Sequence, residues 1–152
     1  TDYSAGTTVN VGVIAGGTVV NVVPDKAEAR IDLRGTSHDE LQRTEQAILG
    51  LAPVTPGAIL EVTGRTNRPP MEATEGNLQL YRRAKQIAAD LGIDLPGAHV
   101  GGVSDGNFTS SVGAATLDGL GAVGDGAHAV HEYLELKAMA PRAALVARLL
   151  AE

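Results

Sequence analysis

The sequence has no cysteine and no tryptophan, and only one phenylalanine and three tyrosines in 152 residues. Without cysteine there is neither a disulfide framework nor a thiolate zinc site, so any metal must rest on histidine and carboxylate donors. With aromatics at 3%, a core must be built from Val, Leu, Ile and Ala, which argues against a surface that stacks nucleic-acid bases. A basic stripe is also missing: the formal net charge is −6, whereas phosphate binding depends on clustered Lys and Arg. No apolar run approaches the ~18 residues of a membrane-spanning helix. The opening Thr1-Asp2-Tyr3-Ser4-Ala5-Gly6 has none of the marks of a signal peptide. The expectation is a cytoplasmic protein with no nucleic-acid and no membrane partner. A start without Met suggests a cut or processed chain. Apolar residues make up 43% of the total, which suits one globular domain or two small ones.

The first third reads as strands. Thr8 to Ile14 alternates, with Val9, Val11 and Val13 on one face. Gly16-Gly17 signals a turn, and Thr18 to Val23 resumes β-branched residues, which predicts a hairpin. From Ala27 to Leu33 a second alternation sets Ala27, Ala29, Ile31 and Leu33 against Glu28, Arg30, Asp32 and Arg34. Ser37 and Glu40 form a capping box that opens a helix, and Pro53 and Pro56 are expected to end it. Ala58 to Thr63 reads as another strand. Composition then changes, and a domain boundary is expected between Met71 and Gly76. Leu78 to Leu91 has a helical stripe of Leu80, Ala84, Ile87, Ala88 and Leu91, stopped by Gly92. Short strands are expected at His99 to Val103 and Ala114 to Leu117, with a short helix from Asp105 to Val112 between them. The last helix runs from about Lys137 to Leu150, with Pro141 in its first turn.

Three stretches are candidates for chemistry. In Gly101-Gly102-Val103-Ser104-Asp105-Gly106-Asn107, glycines ahead of a helix would let backbone N–H groups approach an anion, although a tight strand-to-helix turn explains them as well. The same stretch holds Gly102-x-Ser104-x-Gly106, the pattern of a serine-hydrolase nucleophile elbow, followed in order by Asp118 and His128. Against that reading, Leu95 to Gly102 carries Pro96, Gly97 and His99 and makes a poor buried strand. The second stretch, Gly124 to Glu132, holds His128, His131 and Glu132 on a glycine-rich loop. Its His-x-x-His-Glu order is neither of the helical zinc-protease motifs, and a loop with incidental histidines fits the spacing equally well. The third is the arginine set Arg34, Arg65 and Arg68, whose guanidinium groups suit a substrate carboxylate.

Taken together, Gly16-Gly17-Thr18, Asn21-Val22-Val23-Pro24, Ala27 to Arg34, Gly101 to Asn107, Asp118-Gly119-Leu120-Gly121, Gly126-Ala127-His128 and Glu132-Tyr133 follow a known order and spacing along nearly the whole chain. The chain resembles the zinc exopeptidases and deacylases that include glutamate carboxypeptidase, acetylornithine deacetylase and succinyl-diaminopimelate desuccinylase. The resemblance implies an α/β protein. Residues 1–72 would be part of an α+β lid that mediates homodimerisation, and 73–152 the C-terminal part of an α/β zinc-peptidase catalytic domain. It implies two zinc ions in the complete protein and a small N-acyl amino acid or peptide substrate with a free carboxylate. His128 then matches the family's last zinc ligand. Asn21 and Arg34 match lid residues that polarise or bind substrate, Arg68 is a looser match to a carboxylate-binding arginine, and Gly102 and Ser104 line the substrate site. His131 falls outside the motif.

The sequence also departs from the family. The His-x-Asp pair, the bridging Asp, the Glu-Glu pair with its general base and a further carboxylate ligand are all missing. The expectation is a chain that binds zinc weakly or not at all and is inactive alone. Two alternatives stand beside it: a non-catalytic dimerisation or regulatory module, and, more distantly, a serine hydrolase using Ser104.

Overall fold

The computed structural model describes residues 1–151, which form two compact units, one spanning Thr1–Glu72 and one beginning at Ala73. Helices and small antiparallel sheets make it a mixed α and β protein.

In the first unit, β1 (Thr7–Gly16) pairs with β2 (Ala27–Gly35) in a two-stranded antiparallel sheet. The expected hairpin partner, Thr18 to Val23, is not a strand. It lies in the loop from 17 to 26, where Val20 and Val23 are exposed. The cause is local. Gly17 adopts φ +73°, a left-handed conformation that glycine takes without steric cost, and its N–H donates to the Lys26 carbonyl. The chain therefore turns before Thr18, and the valines beyond it find no strand to pair with.

The two faces of β1 also differ from the simple alternation. Val9 and Val11 stand opposite Leu33 and Ile31, but the register shifts between Val11 and Val13, leaving Gly12 as a surplus residue. Side chains alternate with period two, so one extra residue exchanges the faces beyond it. Val13 consequently stands opposite Arg30 on the charged side, and Ile14, opposite Ala29, takes its place on the apolar side. That apolar side is open: Val11, Ile14 and Ile31 are all exposed.

Helix α1 (His38–Leu49) follows directly. Ser37 caps it, its hydroxyl accepting from the Glu40 N–H at 3.3 Å. The Glu40 carboxylate is engaged elsewhere: it accepts from Thr7 Oγ1 at 2.6 Å and from Arg43 Nη2 and Nε at 2.6 and 2.8 Å. Thr7 is buried at the start of β1, so this polar knot ties strand to helix. The helix ends at Gly50, whose N–H returns to the Gln46 carbonyl, before either proline is reached. Ala58 to Thr63 is irregular rather than a strand.

In the second unit, α2 (Glu75–Asp90) starts three residues before the expected Leu78. Thr74 is the reason: its hydroxyl accepts from the Asn77 N–H at 3.2 Å. The helix closes in a Schellman motif, with Gly92 at φ +70°, Gly92 N–H on the Ala89 carbonyl and Ile93 N–H on the Ala88 carbonyl at 2.8 Å. Ala84, Ile87 and Ala88 from its inner stripe meet Leu95 and the fully buried Leu145 of α4 (Leu136–Ala151), with Ile93, Leu117, Leu120 and Leu149 packed around them. Pro141 lies inside α4, beyond the first turn where it was expected. A short helix, α3 (Gly106–Ser111), occupies the expected place.

His99 to Val103 and Ala114 to Leu117 are not strands. At the second stretch a side chain takes the part of a strand partner. The Thr116 N–H donates to Asn77 Oδ1 at 2.7 Å, while Asn77 Nδ2 donates to Ser110 Oγ at 2.9 Å. Buried Asn77 thus satisfies backbone and hydroxyl groups that burial would otherwise penalise.

Candidate metal and substrate site

His128 sits on a loop closed at its base. Strand β3 (Gly124–Asp125) pairs with β4 (Tyr133–Leu134), Gly124 opposite Leu134 and Asp125 opposite Tyr133. The Glu135 N–H reaches the Val123 carbonyl at 2.8 Å just outside this ladder. Inside the loop, Ala129 N–H donates to the Gly126 carbonyl at 2.8 Å and Glu132 N–H to the Ala129 carbonyl at 3.1 Å. The strands approach so closely that a Cβ on Gly124 would collide with the Tyr133 carbonyl oxygen. The same intimacy recurs at Gly126, where the His131 ring lies over the backbone and a Cβ would stand 3.0 Å from its Cδ2.

At the loop's outer end His128 adopts φ +69°, the single non-glycine residue with positive φ among the described residues. A left-handed conformation costs an L-residue roughly 1–2 kcal/mol. The loop's hydrogen bonds hold it there, with the residue exposed rather than turned into the core. Such an imidazole is free to act as a ligand, a proton acceptor or a hydrogen-bond donor.

Ser104 is differently placed. Its hydroxyl donates to Asp118 Oδ2 at 2.6 Å and accepts from the Gly106 N–H at 3.0 Å, while its own N–H donates to Asn107 Oδ1 at 3.0 Å. These bonds form a compact turn that launches α3. A nucleophile elbow needs a strand feeding the turn and a histidine on the serine. Here the residues before Ser104 are irregular and its hydroxyl is committed to a carboxylate, so the serine-hydrolase reading is not supported. Gly102 is exposed, with open space around a hypothetical Cβ, so no close approach requires a glycine there.

In the first unit Asn21 is exposed on the loop from 17 to 26. Arg34, near the end of β2, donates through Nε to Asp32 Oδ2 at 2.7 Å. Both partners of that pair are more than half exposed, so its contribution to stability is small. Arg68 is half-buried within the irregular stretch that follows Thr63. The strongest electrostatic feature of the unit is one the sequence reading used only as a cap. Hydrogen bonds from Arg43, then from Thr7, hold the Glu40 carboxyl at about 2, well below its ordinary 4.5. That arrangement is an anchor between elements, not a reactive acid.

Among the described residues, no three or more His, Asp or Glu side chains come together as a set able to hold a metal ion. A catalytic zinc takes about three protein donors plus water. The donors among the described residues therefore do not fit a zinc centre on their own.

A loop-borne histidine, a glycine-rich turn into a short helix and a separate strand-and-helix unit do not by themselves fix a class of protein; a family match does. The model of peptidase family M20/M25/M40 matches residues 2–152, and the chain belongs to that family. No individual curated protein matches it. Among the described residues no helix is long and apolar enough to cross a membrane.

Sequence reasoning passed over Asn77 and Asn107, both buried. Asn77 fixes the 114–117 stretch and Asn107 fixes Ser104, so together they shape the turn behind the candidate site. The signal for Asn77 was the Thr74-x-x-Asn77 spacing at the head of α2; for Asn107 there was only its position inside the motif.

Proposed function

We propose that this chain is part of a co-catalytic zinc carboxypeptidase or deacylase that hydrolyses the amide bond of N-acyl amino acids or small peptides bearing a free carboxylate. His128 is one donor to its metal centre, and the remaining donors come from polypeptide other than these residues. By itself the chain binds zinc weakly and is inactive. What supports the reading is membership of the peptidase family together with one observation: an exposed His128 held in a left-handed conformation at the tip of a closed loop. Backbone strain persists where surrounding structure enforces it, and such positions cluster at functional sites. Asn21, Arg34 and Arg68 are assigned to the substrate, the guanidinium groups to its carboxylate. Gly102 and Ser104 belong to the substrate-lining turn.

The test is amide hydrolysis by the purified chain across a panel of N-acyl amino acids, with zinc added and with chelator. We expect no metal-dependent turnover. Robust activity that chelator abolishes and zinc restores would overturn the claim that the chain is inactive alone.

A second reading, a non-catalytic dimerisation or regulatory module, is favoured by the bare apolar face of the β1–β2 sheet and by the lack of a donor cluster among the described residues. Both readings expect self-association through that face. They part at the metal: only the first predicts that replacing His128 weakens zinc binding.

A further inference from the structure

The sequence contains three Asp-Gly dipeptides, Asp105-Gly106, Asp118-Gly119 and Asp125-Gly126, and the structure treats them differently. In Asp-Gly the glycine nitrogen can add to the aspartate Cγ. The N–Cγ bond forms, the carboxyl hydroxyl leaves with the amide proton as water, and a five-membered imide results. Water then reopens the ring at either carbonyl. In one product the main chain runs through Cβ and Cγ, which lengthens it by one methylene. No oxidant or co-reactant is needed.

At Asp125 the geometry favours ring closure. Asp125 Oδ1 lies 2.7 Å from the Gly126 nitrogen, which places the adjoining Cγ beside its attacker. Gly126 has no Cβ to obstruct the approach, and Asp125 is exposed. At Asp118 the same oxygen is 2.7 Å from the Gly119 nitrogen, but Oδ2 also accepts the Ser104 hydroxyl at 2.6 Å, which holds the carboxylate against departure as water. At Asp105 the glycine nitrogen is committed to Ser104 Oγ and begins helix α3, where backbone torsions are fixed.

We propose that Asp125-Gly126 is a site of spontaneous aspartate isomerisation in the folded protein, ahead of Asp118-Gly119 and well ahead of Asp105-Gly106. An added methylene there breaks the pairing of Asp125 with Tyr133 and releases the base of the loop that carries His128. This stands whether or not His128 binds metal.

The test is to age the full chain at about pH 5, where a minority of an ordinary aspartate still carries the hydroxyl that leaves and the glycine amide gives up its proton more easily than in stronger acid, and to map isoaspartate by peptide mass spectrometry. Asp125 should convert several-fold faster than Asp105, with Asp118 between. In urea, which removes the geometric differences, the three rates should converge. Compared at neutral pH, where the amide nitrogen loses its proton more easily, Asp125→Asn should convert faster than Asp125, losing ammonia instead of water, and Asp125→Glu should abolish the signal at this position. Equal native rates at the three sites, or fastest conversion at Asp105, would overturn the proposal.

Discussion

The two units solve the same problem by different means. The second has a conventional core, with Leu145 and Ala88 removed from solvent altogether and neighbours from α2, α4 and the segments between them. Apolar burial of this kind is non-directional and grows with area. Among the described residues the first unit has one buried apolar side chain, Leu41, and it relies on the knot of Thr7, Glu40 and Arg43 where its sheet meets its helix. Such a contact is directional, depends on charge and is sensitive to acid. A chain of this composition thus carries one half set by oil and another set by a carboxylate, and each should fail under conditions the other survives.

The largest effect should come from Leu145→Ala. Deleting a fully buried leucine costs roughly 2–5 kcal/mol, read as a lower urea midpoint. Amide exchange should accelerate across α2 and α4 while the β1–β2 amides keep their protection. Equal loss in both units would mean that they unfold as one cooperative block and would break the comparison.

Acid comes next. Because Glu40 is held at about 2 in the fold and is near 4.5 when free, the unfolded chain binds the extra proton between those values. Stability then rises with pH across that window. The first unit should be fully stabilised by this group above the upper value and should lose that contribution as pH falls toward the lower one. Glu40→Gln should reduce the acid dependence of the first unit, leaving the share of Asp2, whose carboxyl the Ser4 hydroxyl holds below its ordinary value, and should not alter that of the second unit, as read by residue-resolved exchange over an acid titration.

His128→Gly should have a smaller effect and of opposite sign. Relief of the left-handed backbone outweighs the added freedom of glycine by less than about 1 kcal/mol, a slight gain in urea midpoint. A loss instead would show that the imidazole makes stabilising contacts. The smallest change in stability is expected for Ile14→Lys on the open sheet face, within about 0.5 kcal/mol. Self-association measured by light scattering should nonetheless fall, since exposed apolar patches promote association.

Much of the architecture was legible in the residues because it was locally encoded. Ser37, Gly92 and the Ala84–Ala88 stripe act within one or two turns of chain, so their consequences follow from spacing alone. The sequence reading failed where a segment's state depends on a distant partner. Thr18 to Val23 has strand composition, yet β1 pairs across it with Ala27 to Gly35. Ala114 to Leu117 looks like a buried strand, yet its backbone is met by Asn77, thirty-nine residues from Thr116. Val13 lies on the face opposite to the one alternation predicts, because nothing in its neighbours announces that Gly12 is unpaired. At the site, the position of His128 on a glycine-rich loop was readable, whereas its left-handed backbone and the commitment of Ser104 to Asp118 arise from contacts that spacing does not record.

The unpaired glycine of β1 makes length changes unequal along this hairpin. Residues gained or lost between 17 and 26 leave the parity of both strands untouched, so that stretch is free to vary. Loss of Gly12 alone would bring Val13 directly after Val11 and keep it opposite Arg30, with Ile14 still opposite Ala29, so the ladder would become regular and no side chain would change face. Loss of a single paired residue of the same strand would instead turn every side chain beyond it to the other face, so the unpaired glycine marks the one place within β1 where a residue can be dropped without that cost.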